Sequence, residues 1–146
     1  MQTLTKKESL IFYLKKNIVE KLRLNAVMYQ LPTGLEDQHR GIVDLITMKA
    51  YVNEGASGET ITEIPFPEDM RAQANEYRTK LIEKLADVDE SIGDKFLMGE
   101  EPTIEELKAA TRKAVISLKL CPVFCGSAFK NKNVQHLLDA VLAYLP

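Results

Sequence analysis

The residues best suited to chemistry form one short run, "CGSAFKNK", residues 125–132. Gly126, Ser127 and Ala128 carry almost no side chain, so their backbone N–H groups can approach a flat or negatively charged ligand closely. Lys130 adds a cation beside them. A tight turn built of small residues is the other reading, and these residue types alone do not separate the two. Other reactive side chains offer less. On a strand, Cys121 and Cys125 stand about 13 Å apart at ~3.3 Å per residue, too far for a disulfide. They read as small core residues. His39 and His136 have no Cys or His at ligand spacing and read as surface or boundary positions. No paired acid and base, and no activated nucleophile, can be assembled from the sequence.

Charge forms the second pattern. The net charge is −2, but from Glu63 to Glu106 there are 13 acidic and 5 basic residues. The remainder carries 8 acidic and 14 basic. An acidic lobe facing a basic partner accounts for this, and so does a solvated helical face. Within the lobe, Glu76, Glu83 and Asp87 fall at i, i+7 and i+11, which places all three carboxylates on one face of a helix.

Composition bounds what these residues can serve. Apolar residues make up 45% and charged residues 27% of the 146, a balance that suits a packed domain and not a disordered chain. No apolar run approaches ~18 residues, so no membrane span is expected. The opening "MQTLTKKESL" has neither a secretory apolar region nor the Arg-rich amphipathic character of a transit peptide.

Several elements must position the candidate residues. "TKKE" at Thr5–Glu8 has capping-box spacing and introduces an amphipathic helix over roughly 6–24, closed by Asn25 in a left-handed cap. "AVMYQLP" predicts one strand and "GIVDLITMKAYV" a second, with "TITEI" pairing back to make 41–64 a hairpin. The turn "NEGASGE" lacks a strand–helix context and is expected to cradle nothing. Pro67 opens a long helix to Val88 with a stripe of Met70, Ala74, Tyr77, Leu81, Leu85 and Val88. Asp89 caps a short helix carrying Ile92, Phe96 and Leu97, and Gly99 ends it. "TIEE" at Thr103 is a second capping box, opening a helix with Leu107, Ala110 and Ala114.

Leu120–Cys125 is apolar on both faces, as in a central strand of a parallel sheet covered on each side. Val134, Leu137, Leu138, Val141, Leu142 and Leu145 then repeat at helical spacing, predicting a buried helix. The small-residue turn therefore lies at the C-terminal tip of a parallel strand, where α/β sheets bind ligands. The fold class is α/β. A sheet remnant comes from 1–50 and 118–146, and a mostly helical α+β insert occupies 51–117.

Three stretches together resemble elongation factor G. "PVFCGSAFKNKNVQHLLDAVLAYLP" is similar to that family's fifth guanine-nucleotide motif with its strand and helix. "QLPTGLEDQHRGIVDLITMKAYV" resembles the segment after the fourth motif. "IPFPEDMRAQANEYRTKLIEKLADVDESIGDKFLMGEEPTIEELKAATRKA" resembles the insert called the G-prime subdomain. The match runs in order from about residue 8 to 146. It implies a partial P-loop-GTPase-like sheet from a ribosome-dependent GTPase that translocates tRNA and mRNA. In that family the backbone N–H matching Ala128 bonds the guanine carbonyl, so Gly126, Ser127, Ala128 and Lys130 become nucleotide-binding residues. Asn133 stands where the family usually has Gly.

The resemblance further implies GTP or GDP with Mg²⁺ in a full-length parent, ribosomal stalk proteins as partners of the insert through Glu76, Glu83 and Asp87, and rRNA contacts through other domains. "GLE" at 34–36 leans toward the mitochondrial branch. GxxxxGK[ST], DxxG and NKxD are all missing. The chain is therefore expected to bind no cofactor and hydrolyse no GTP by itself, as a part of the factor starting after the fourth motif. Its unpaired sheet edge would favour self-association. A nucleotide-independent stalk-binding adaptor and a ribosome-recycling paralogue remain the alternatives.

Overall fold

The computed structural model describes residues 16–17, 19–21, 23–33, 41–126 and 133–146. The capping box at Thr5–Glu8 and the polar turn after Thr33, with His39, lie outside the described residues. Residues 16–17 and 19–21 are helical. The left-handed residue after this helix is Arg23, at φ 53°, and not Asn25. Asn25 instead donates its side-chain amide to the Lys119 carbonyl at 2.9 Å, tying the chain to the residues leading into the last strand.

The predicted strand at 26–32 is divided between two sheets. Strand β1 (Ala26–Met28) pairs in parallel with β6 (Cys121–Val123), Ala26 opposite Cys121. Strand β2 (Gln30–Pro32) opens a four-stranded antiparallel sheet in the order β2-β3-β4-β5, with β3 at Gly41–Asp44, β4 at Lys49–Glu54 and β5 at Thr60–Ile64. Tyr29 is the joint between the sheets. Its N–H donates to the Val123 carbonyl at 3.0 Å, while its own carbonyl accepts from the Leu45 N–H at 3.0 Å. One peptide run thus satisfies ladder groups on both sides.

The second predicted strand also proves to be two. The Asp44 carboxylate accepts from the Ile46 and Thr47 N–H groups at 2.8 and 3.2 Å, and Met48 takes a φ of 55°. An Asx turn with no Gly or Pro folds β3 back on β4. Pairing of β4 with β5 is as expected, Ala50 opposite Ile64. Gly41 is required at its position, since a Cβ there would lie 1.9 Å from the Tyr51 carbonyl oxygen.

The helices follow the local signals closely. Pro67 precedes a 3-10 turn, Glu68–Met70, which leads into α1 (Arg71–Ala86). Asp89 caps α2 (Glu90–Met98) by accepting from Ile92, and Gly99 ends it at φ 71°. The Gly99 and Glu100 N–H groups close the last turn onto Phe96 and Lys95. Thr103 and Glu106 form the complete capping box of α3 (Ile104–Ile116). Lys95 and the Thr103 N–H hold the Glu106 carboxyl below its ordinary value.

A continuous core joins these parts. Met70, Ala74, Leu81 and Leu85 of α1, Ile92 of α2, and Leu107, Ala110 and Ala114 of α3 pack with Val27, Met28, Tyr29, Leu31 and Val43. The Tyr29 ring lies 5.8 Å from Phe124 and 6.2 Å from Tyr144. Its hydroxyl is 2.8 Å from Thr111 Oγ1. Thr111 spends its own hydrogen on the Leu107 carbonyl at 2.7 Å, so Tyr29 is the donor. Burial raises the Tyr29 phenol well above its ordinary range. Arg78, largely buried, donates to the Leu45 and Ile46 carbonyls at 2.6 and 2.7 Å and pairs with Glu101.

Two expectations of burial, for the last strand and the last helix, are corrected. Strand β6 is half-buried and, among the described residues, has β1 as its one partner. Phe96 and Leu97 of α2 are exposed, because one turn beyond Ile92 the helix has passed the edge of the core. In α4 (Val134–Tyr144), Ala140 and Tyr144 are buried, whereas Leu137, Leu138, Val141, Leu142 and the following Leu145 are exposed. The helix touches the core along a narrow line. Much of its apolar stripe faces an open groove of about 370 Å³ shared with Leu118, Leu120 and Phe124.

Candidate functional site

The described residues lead up to the small-residue run and resume just after it. Strand β6 runs parallel to β1, ends at Val123, and the chain passes through Phe124, Cys125 and exposed Gly126 before α4 starts at Val134. Ser127, Ala128 and Lys130 lie outside the described residues. Both flanks of the turn are described, and they are joined.

Asn133 makes the junction. It is 1% exposed and left-handed at φ 63°, ψ 19°, a conformation that Asn tolerates better than most residues. Its backbone N–H donates to Asn53 Oδ1 at 2.8 Å. Its side-chain amide donates to Gln30 Oε1 at 2.5 Å and also to the Cys125 carbonyl. Gln30 Oε1 in turn accepts from the Cys125 N–H at 3.3 Å, and the Cys125 thiol approaches the Gln30 carbonyl at 3.4 Å. Asn53 Nδ2 donates to the Gly58 carbonyl at 3.1 Å and to Gln135 Oε1 at 3.2 Å. Gln135 Nε2 donates to the Gly58 carbonyl at 3.3 Å.

The cluster joins β2, β4, the β4–β5 turn, the end of β6 and the start of α4. Burying amides costs little when they satisfy one another, and coupled bonds of this kind rigidify what they join. The "NEGASGE" turn acquires a structural partner here, through Gly58. Sequence reasoning missed Gln30 and Asn53. Each is the one carboxamide side chain of its strand, and the separations of 103 and 80 residues from Asn133 leave no local signal.

The carboxylates of α1 are all exposed. Glu76 pairs with Lys80 at 2.6 Å, a bond that raises the Lys80 ammonium above its ordinary value. Glu83 and Asp87 border a hollow with Lys84, Ala86, Gly93, Phe96 and Leu97. The structure therefore gathers Glu83 and Asp87 beside exposed apolar side chains, and pairs Glu76 with a cation elsewhere on the helix. Cys121 and Cys125 are free and half-buried. His136 packs against Tyr51 with ring centres 4.9 Å apart and ring planes tilted by 50°.

Among the described residues, no three His, Cys, Asp or Glu side chains come together as metal ligands. No helix among them is long and apolar enough to cross a membrane. Around the small-residue run the described residues form a buried, neutral amide frame that joins its two flanks.

The fold combines a short parallel strand pair with an antiparallel meander and three helices that lie between its two strands in sequence. The chain is 63% identical over 129 residues to Elongation factor G 2 of Bdellovibrio bacteriovorus, a match covering 88% of this chain and 18% of that protein. The crystal structure of ttk003000868 from Thermus thermophilus superposes with a TM-score of 0.79 at 28% identity, covering 93% of this chain and 20% of the other. No family model matches the chain. The chain is homologous to one segment of elongation factor G and spans about one fifth of the length of the proteins it matches.

Proposed function

We propose that the chain is the part of a GTP-dependent translational elongation factor that reads the guanine base and carries a partner-binding insert. The observation that carries this reading is the end of a parallel strand at Val123, with Cys125 and Asn133, the flanks of the small-residue run, tied together. In this reading 1–50 and 118–146 belong to the GTPase domain and 51–117 is the insert. The Ala128 N–H bonds the guanine carbonyl, Ser127 shapes the turn, and Gly126 and Lys130 flank it. Phosphates and Mg²⁺ would be held by residues absent from this sequence, so the chain alone neither binds the nucleotide tightly nor hydrolyses it. The mitochondrial placement rests on residues 34–36 alone, and the matched relative is a bacterial protein.

Calorimetry with GDP tests the reading on this chain and on the full-length factor. Binding by the full-length protein only, and its weakening by Ala128→Pro, is the expected result. Tight binding by the chain alone would refute it. The insert is read as the surface for ribosomal stalk proteins, with Glu76, Glu83 and Asp87 steering the encounter. Charge reversal at all three is expected to slow stalk binding at low salt, with the difference shrinking as salt rises. An unchanged association rate at low salt would remove that role.

A further inference from the structure

We propose that Asn133 is a positioning residue for base recognition, acting with Gln30 and Asn53 as a clasp that sets the ends of the turn. The inference rests on the assignment of Ala128 to the guanine carbonyl. Its own evidence is the geometry of the clasp.

Residue 133 has a left-handed backbone at φ 63°, where Gly is the residue of least strain. An Asn at that position retains some of the strain of a Cβ, so its side chain must return something a Gly cannot. What it returns is visible. The carboxamide donates to the Cys125 carbonyl and to Gln30 Oε1, bringing the residues on either side of 126–132 within one side-chain hydrogen bond. The backbone N–H is fixed to Asn53 Oδ1.

The amide orientation is also determined. Both neighbours of Nδ2 are acceptors, so exchanging the amide oxygen and nitrogen would set oxygen against oxygen twice. Oδ1 is left buried without a partner among the described residues, a cost accepted to keep the clasp. A hydrogen bond to a base requires its donor to be held in place before the ligand arrives, and anchoring both ends of the turn to β2 and β4 supplies that preorganisation. Asn133→Gly removes the clasp and keeps the backbone conformation. It therefore separates the two contributions.

The test uses the full-length factor and two ligands, GDP and the diphosphate of 2-aminopurine riboside, which keeps the 2-amino group and lacks the carbonyl. Asn133→Gly is expected to weaken GDP about tenfold while the analogue changes less than about twofold. General loosening of the fold would weaken both alike, so the ratio reports position and not stability. Gln30→Met, which deletes the shared acceptor at similar volume, is expected to lower the same ratio by a smaller factor. It carries the test if the first variant does not fold. Ala128→Pro, which deletes the N–H, is the control on the premise. If it abolishes the preference for GDP while both clasp variants leave the ratio within about twofold, the clasp has no role in recognition. If it leaves the preference intact, the base-reading assignment fails and the proposal falls with it.

Discussion

Helices α1 and α4 carry apolar residues at the same helical spacing and meet opposite fates. In α1, Leu81 and Leu85 are fully buried, at 0% exposure. In α4, Leu138 and Leu142 are 58% and 81% exposed. The difference lies in what surrounds them. Helix α1 is enclosed by α2, α3 and β1, all within this sequence, whereas α4 packs on α3 and the end of β6 and then borders an open groove. An apolar stripe records that a surface is to be covered. It does not record what covers it.

Substitutions sharpen that contrast. Leu81→Ala removes a buried side chain from a closed core and should cost about 2–5 kcal/mol in chemical denaturation of the chain. A loss below about 1 kcal/mol would mean that α1 is less tightly enclosed than its burial indicates. Thr111→Val, between the two regions, strands the Tyr29 hydroxyl without an acceptor and should cost about 1–3 kcal/mol. The variant would match the native chain if Tyr29 had another partner.

A smaller effect distinguishes the helix start from the helix packing. The Glu106 carboxyl is lowered by Lys95 and the Thr103 N–H, so its contribution is present above the ordinary carboxylate pKa of about 4.3 and lost as the pH falls through the lowered folded value. Glu106→Gln keeps a capping side chain and loses the ion pair. It should melt below the native chain at neutral pH, with the gap closing in acid. A gap independent of pH would exclude the ion pair as its source. The smallest change is expected at Leu142→Gln, within about 0.5 kcal/mol, as for other exposed positions. Val141→Gln, on the wall of the groove, should reduce any self-association seen by analytical ultracentrifugation if the groove beside α4 drives it.

Legibility in the sequence follows the range of the interactions. The caps at Asp89, Gly99 and Thr103 with Glu106 were legible because each is decided within a few residues. The core stripe of α1 was legible because its period is regular. The division of 26–32 at Tyr29 was not, since it depends on Val123 and Leu45 claiming opposite sides of one residue. The break at 45–48 was hidden because Asp44 turns the chain without Gly or Pro. For the candidate site, the small-residue turn stood out by composition and resemblance. Its supporting amides did not, because their meeting is a product of the tertiary fold.

The parallel pairing of β1 with β6 has a kinetic consequence. Ala26 meets Cys121 at a sequence separation of 95, and such a closure is entropically costly until the chain between them has become compact. The antiparallel meander and the three helices need only short-range contacts. We predict that they form first and hold the two strand segments near each other, with the parallel pair completing late. Pulse-labelled hydrogen exchange during refolding should then protect the Tyr51 and Leu81 amides before that of Cys121, which donates to the Asn25 carbonyl at 2.9 Å. Simultaneous protection would show one concerted step. On the late-closing course, the segment beyond β6 gains its fixed anchor only at the end of folding, so the corner proposed to face the nucleotide is the last part of the chain to mature.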